Sequence, residues 1–370
     1  MKMLMKYNTK AILRSLLTVF LLLSLLLSSA CSKEENRETA PSANTRTITD
    51  CIGREVKVPA QISRVACLCP ESAYTMAMFG QGDKMVAVVG GVKRDLILTE
   101  MYPGIKDLPV PKSSAVINIE ELVKTDPDVV FVKKDSFSSE AEVQKLNKSK
   151  LSFLVVDFNS MKEQQYAIEM MGLVLGADDK AQKYNNYYQN CVERVQKRVE
   201  LIPQGERVKV YHAINEATRT DIKGSLSADW LEAAGADNVS INKDLKTLEG
   251  KYFASLEQIL LWNPEVILVN ETGVANYILT NNQWAPLQAV KNKKVWQLPN
   301  GISRWGHPSS PETPLVILWT AQTLYPEKFL DLDMAAETRS FYKDFFGLEL
   351  SEEVVDRIIA GEGMRIARPQ

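Results

Sequence analysis

Two stretches of this chain carry the same pattern of apolar and polar positions. "IEELVKTDPDVVFV", residues 119–132, overlays "LEQILLWNPEVILV", residues 256–269, at an offset of 137. Glu120 matches Glu257, Pro127 matches Pro264, Val129 matches Val266 and Val132 matches Val269. Each stretch predicts a short helix that stops before "DP" or "NP", because proline drives its predecessor out of helical geometry. Each then enters an apolar strand without polar alternation, as in a parallel sheet covered on both faces. A second echo lies upstream. "ESAYTMAMFGQGDKMV" and "LSADWLEAAGADNV" each follow a predicted strand, "RVACL" and "VKVYH" respectively. The pattern therefore predicts two related α/β lobes with parallel-sheet cores.

Between them, residues 178–202 contain no internal Gly or Pro, and Tyr184, Tyr187/Tyr188, Cys191, Val195 and Val199 recur at helical spacing. A helix of about 23 residues is about 34 Å long, enough to run from one lobe to the other. A single stiff connector predicts limited hinge motion.

Lys2, Lys6, Lys10 and Arg14 precede the apolar run "SLLTVFLLLSLLL", residues 15–27, and "SSAC" then ends at Cys31. A basic start, a short apolar core and small residues before a cleavage point describe an export signal. The run is shorter than the about 20 residues that span a bilayer. Cys31 after "SSA" resembles a bacterial lipobox, with Ser28 where that motif usually has leucine. The alternative is ordinary cleavage beside an unrelated cysteine. The lipobox reading makes residues 1–30 a signal peptide and 31–46 a lipidated, polar, flexible tether. A first lobe over 47–177, the connecting helix over 178–202, a second lobe over 203–330 and a helical extension over 331–370 complete the expected organisation. The body would be a monomer, lipid-anchored on the extracytoplasmic face of a bacterial cell membrane.

Charge is nearly balanced, 44 Lys+Arg against 46 Asp+Glu, so there is no bulk attraction to nucleic acid. Cys51, Cys67, Cys69 and Cys191 form neither a disulfide framework nor a C-x-x-C pattern. They read as small buried apolar residues, with a soft-metal or redox role as the alternative. The chain has no G-x-S-x-G, H-E-x-x-H, P-loop or G-x-G-x-x-G motif. With two histidines it has little general-base capacity. A protein without chemistry of its own is expected, and a surface-anchored hydrolase is the alternative.

The lipobox-like start, "ITDCIGREVKVPAQISRVACL", the paired "LE…DP/NP…VV/VI" segments and the central helix together resemble the class III substrate-binding proteins of ABC importers. The resemblance to these helical-backbone metal receptors covers about residues 45–330. It implies two Rossmann-like lobes joined by one long α-helix, a ligand held between them, and delivery to an ABC permease dimer. It also implies a metal complex as ligand: a ferric siderophore or other iron chelate first, haem or cobalamin second. A free Zn²⁺ or Mn²⁺ receptor fits less well, because such sites gather several His and carboxylate ligands. No resident cofactor is implied.

In open α/β sheets, ligands sit beyond the carboxyl ends of the strands. The exit loops are expected at 69–72, 90–95, 133–137, 214–220, 270–277 and 300–310. They offer Lys93, Arg94, Lys133, Arg219 and Arg304 as cations, and Phe137, Tyr277 and Trp305 as flat apolar surfaces. That set suits a large anionic or π-rich guest, although loop lysines and arginines are otherwise solvated charges. Arg94 and Arg304 lead the set. In "SRWGHPSSPETP", residues 303–314, Ser310 is expected to cap a helix beginning at Pro311. His307, just before it, has three readings: metal ligand, hydrogen-bond partner of ligand or water, or a residue outside the pocket. His212 reads either as a cleft residue or as a satisfied core histidine. No metal ligand is assigned beyond these two candidates.

Asn118 and Ser255 are expected to cap the repeated helices, with Glu121 and Gln258 completing capping boxes. Glu120 and Glu257 then fall in first turns, where the helix dipole favours them. The resemblance adds a second role, because one glutamate per lobe in this helix docks onto permease arginines.

Overall fold

The computed structural model describes residues 45–137 and 139–366. Cys31, the export signal and most of the proposed tether lie outside the described residues. Strands β1 (Thr45–Thr49) and β2 (Glu55–Pro59) form an antiparallel hairpin.

The first lobe is built on β3 (Val65–Leu68), helix α1 (Pro70–Met78), β4 (Met85–Val88), α2 (Leu96–Met101), and a small hairpin of β5 (Lys112–Ser113) and β6 (Val116–Ile117). It continues through α3 (Ile119–Lys124), β7 (Val129–Lys133), α4 (Glu140–Ser149) and β8 (Phe153–Val156). Its sheet is parallel, in the order β4-β3-β7-β8. Helices α5 (Met161–Leu175) and α6 (Asp178–Val199) follow.

The second lobe repeats the plan. It contains β9 (Lys209–Ala213), α7 (Leu226–Ala233), β10 (Asp237–Asn238), a hairpin of β11 (Lys246–Leu248) and β12 (Lys251–Phe253), α8 (Leu256–Trp262) and β13 (Val266–Val269). α9 (Val274–Thr280), α10 (Gln288–Lys291) and β14 (Val295–Gln297) complete it. This sheet is also parallel, and its order β10-β9-β13-β14 is the order of the first, strand for strand. Three more helices end the chain: α11 (Thr313–Leu324), α12 (Met334–Phe346) and α13 (Glu352–Ile359).

The sequence repeat is also a repeat of burial. In β7, Val129 and Phe131 enter the central core while Val130 and Val132 enter an outer cluster. In β13, Val266 and Leu268 face the centre while Ile267 and Val269 face the outer cluster of that lobe. Both faces are covered, which is why neither strand alternates with polar residues.

The 22 residues of α6 span about 33 Å. Its buried stripe is Ala181, Tyr184, Tyr188, Cys191, Val195 and Val199. Tyr188 Oη donates to Gln164 of α5 at 2.9 Å, and Tyr184 Oη donates to the carbonyl of Pro311 at 2.6 Å. One connecting helix is thereby tied to both lobes. Cys51, Cys67, Cys69 and Cys191 are free thiols. Cys67 and Cys69 pack in the central core, and burial pushes the Cys67 thiol up to about 12 and Cys69 higher still.

Candidate ligand cleft

The exit loops of the two sheets meet at a hydrogen-bonded cluster. Pro70 opens α1, and Glu71 in its first turn is almost completely buried. Its Oε1 accepts from Lys133 Nζ, at the end of β7, at 3.2 Å. It also accepts from Ser309 Oγ, in the last exit loop of the second lobe, at 3.0 Å. The negative charge of Glu71 raises the Lys133 ammonium above the usual lysine range, against the opposing effect of burial. Glu71 was not singled out from sequence. The available signal was an acid directly after the proline that starts a strand-exit helix.

On the second-lobe side, Arg304 is nearly buried. Its Nη1 donates to Asn215, just after β9, at 2.5 Å, and to Glu271, just after β13. Three exit loops are drawn together by this guanidinium. His307 is half-buried, and its Nδ1 accepts the Ser309 amide at 3.2 Å. A neutral ring in that bond carries its proton on Nε2.

Residues 301–313 are organised by Glu312, which has no solvent exposure. Its carboxylate accepts from Trp305 Nε1 at 2.8 Å, Ser303 N at 3.0 Å, Ser303 Oγ at 2.8 Å, Ile302 N at 3.2 Å and Tyr342 Oη. Burial pushes this carboxyl upward, and the donors from Tyr342, Ser303 and Trp305 pull it back. The helix expected from Ser310 and Pro311 instead starts at Thr313, with Glu312 in the cap position and Pro314 in the first turn. Ser310 Oγ accepts the Glu312 amide at 3.0 Å, so it closes the turn ahead of the helix. Gly306 has φ +74°, and an added Cβ would stand 2.8 Å from Leu298 and 2.9 Å from Trp230. Glycine alone fits this turn without strain.

The remaining candidates separate. Trp305 is a core residue: its ring is fully buried and its N–H is given to Glu312. Phe137 stacks near Phe153 at 5.5 Å between centroids, and Arg54 lies over its ring at 4.5 Å. Tyr277 is half-exposed in a recess with Ala217, Thr218, Leu256 and Trp284. Arg219 pairs through its backbone with Phe253 in that lobe. Lys93 Nζ donates to the carbonyls of Lys106 at 3.0 Å and Leu108 at 2.5 Å, so its ammonium is engaged in closing its own loop. Arg94 Nη1 donates to the carbonyl of Ile366 at 3.2 Å. His212 is buried against Asp221, with Nδ1 to Oδ2 at 2.9 Å, and lies edge-on to Trp230. It is a core histidine. Among the described residues there is no cluster of three or more metal-ligating side chains.

Glu120 and Glu257 are both exposed, in the first turns of α3 and α8. The capping box is complete only at Ser255 and Gln258. Asn118 accepts the Glu121 amide at 3.2 Å, without the expected return bond from the Glu121 side chain.

Two like lobes, one long connecting helix and a polar cluster between the strand exits define a two-lobed solute-binding protein. The chain belongs to the periplasmic binding protein family, whose match covers residues 65–301, and it is of the class III ABC-importer type. It is similar to the molybdate-binding protein MolA of Haemophilus influenzae, at 27% identity over 81% of this chain and 91% of that protein. It is also similar to the uncharacterized ABC transporter substrate-binding lipoprotein YvrC of Bacillus subtilis, at 22% identity over 84% of this chain and 96% of that one. The solved structure of MolA bound to molybdate superposes with a TM-score of 0.75, at 25% identity, over 83% of this chain and 99% of that chain. Such proteins are extracytoplasmic binding proteins rather than enzymes, and they deliver a small-molecule ligand to an ABC permease.

Proposed function

We propose that this protein captures a small oxyanion, molybdate in the first instance, between its lobes. The observation that carries this reading is that two of the three aromatic candidates, Trp305 and Phe137, are packed against other protein groups. Trp305 is in the core, Phe137 packs against Phe153 and Arg54, and Tyr277 alone of the three stands half-exposed at the exit loops, in a recess with Ala217, Thr218 and Trp284. At the strand exits Lys133 and Ser309 donate to the Glu71 carboxylate, and Arg304 donates to Glu271 and Asn215, so a bound anion would have to take over these donors. Such N–H and O–H donors hold a compact anion without flat apolar walls. The similarity to a molybdate-binding protein supports the same ligand class.

A ferric siderophore or other iron complex is the second reading, with haem or cobalamin behind it. Arg94 and Arg304 stand on different lobes, a placement that suits a larger anionic guest. Calorimetric titration with molybdate, sulfate, ferric chelates, haem and cobalamin decides between them. Saturable one-to-one binding of molybdate is expected; binding of a ferric chelate with no molybdate response overturns the first reading.

The proposal includes export, with residues 1–30 removed and Cys31 lipidated, 31–46 as tether, and lobes over 47–177 and 203–330. The connecting segment is 178–202 and the extension 331–370. The "SSAC" sequence and the similarity to a lipoprotein support the anchor. Membrane fractionation tests it, since Cys31→Ser is expected to release the protein. A soluble monomeric body in light scattering and docking to a permease dimer through Glu120 and Glu257 complete the reading.

A further inference from the structure

The last described residues pass from one lobe to the other. Helix α13 ends on the second lobe, where the Asn300 amide donates to the carbonyl of Ile358 at 2.9 Å. Gly361, at φ +73°, lies so close to the end of β14 that an added Cβ would be 2.6 Å from the carbonyl oxygen of Leu298. A few residues later the chain is bound to the first lobe. The Leu96 amide donates to Met364 O at 3.1 Å, and the Ile366 amide donates to Arg94 O at 2.8 Å. Asp95 and Arg365 form an antiparallel bridge between those two bonds.

Their side chains reinforce the backbone pairing. Arg365 forms an ion pair with Asp95, and both side chains are almost fully buried. Arg365 Nη2 donates to the carbonyl of Gly91 at 3.1 Å. The second oxygen of Asp95 accepts from Tyr74 Oη, on α1, at 2.7 Å. Arg94 itself donates to Ile366 O. Within the loop, the Arg94 amide donates to Gly91 O at 3.3 Å and the Asp95 amide to Val92 O at 3.2 Å. Removing either partner of such a buried ion pair leaves an uncompensated charge and is strongly destabilising.

We propose that residues 360–366 form an interlobe strap and that Arg365 is a positioning residue for the ligand cleft. Through Asp95 it sets the exit loop that carries Arg94, and through Tyr74 it sets the helix that carries Glu71. The first-lobe wall of the cleft is thus held by a segment anchored on the second lobe. The link to ligand affinity rests on the reading that the ligand lies between the lobes. The placement of the strap does not.

The test uses the full chain with Arg365→Gln and Arg365→Lys, read by hydrogen–deuterium exchange and by calorimetric titration with molybdate and with a ferric chelate. Arg365→Gln is expected to speed exchange of the 94–96 amides by more than about tenfold while α5 and α6 stay protected. It is also expected to weaken the ligand that wild type binds by about tenfold, with Arg365→Lys recovering part of both effects. Unchanged exchange at 94–96 overturns the strap. Faster exchange with unchanged affinity overturns the positioning role. If wild type binds neither probe, the oxyanion and iron-chelate readings fail on their own and the exchange result still decides the strap.

Discussion

Ser309 of the second lobe donates its hydroxyl to Glu71 of the first at 3.0 Å, across 238 positions of sequence. The bond links the exit of β14 to the first turn of α1, so it closes the polar cluster across the lobes. A hydrogen bond to a buried carboxylate contributes about 1.5–3 kcal/mol. Ser309→Ala is therefore expected to lower the unfolding free energy by an amount in that range, read in urea as a lower midpoint with the slope m unchanged. An unchanged midpoint would show that the bond contributes nothing to holding the lobes.

Lys133 gives the same cluster a pH signature. Its ammonium is held above the usual lysine range, chiefly by the charge of Glu71, with burial opposing. A raised folded-state value stabilises the fold fully below the unfolded lysine value of about 10.4, and the contribution is lost as pH rises through the folded value. Wild type should therefore lose stability faster than Glu71→Gln as the pH is raised beyond about 10.4. Parallel urea unfolding curves across that range check it, and identical slopes against pH would dismiss the pair.

Trp305 separates a packing role from a ligand-facing one. Trp305→Phe removes one of the donors to buried Glu312 and shrinks the side chain, at a cost of about 1–3 kcal/mol. Ligand affinity should stay within about threefold, a change under about 0.7 kcal/mol. Loss of binding without loss of stability would instead return the indole to the cleft.

The sequence made the lobes legible because their strands are buried on both faces and repeat at 137 residues with the same facing. The long helix was legible because its apolar stripe is regular. The exit loops could be placed by element order, but the direction of each side chain could not. Trp305 turns inward because Glu312, seven positions on, is the buried acceptor of its N–H. Arg304 meets Asn215 and Glu271, 89 and 33 positions away. Arg365 reaches Asp95 from the far end of the chain. None of these pairings leaves a local periodic signal.

The two repeated glutamates supply the last test. Glu120 and Glu257 are exposed first-turn residues at matching positions of α3 and α8, one per lobe. The local hydrogen bonds of Glu257, to its own amide and to Ser255, hold its carboxyl below the usual range, so it is ionised at neutral pH. An exposed acid on each lobe should govern encounter with a basic permease surface and leave the ligand cleft untouched. Replacing both with arginine is expected to keep ligand affinity within about twofold while ligand-dependent ATPase of the reconstituted permease falls by more than about tenfold, steeply with salt in wild type. Each single variant should fall by less, since one acid is retained. A double variant that stimulates the permease like wild type would leave these acids as helix-terminus residues only.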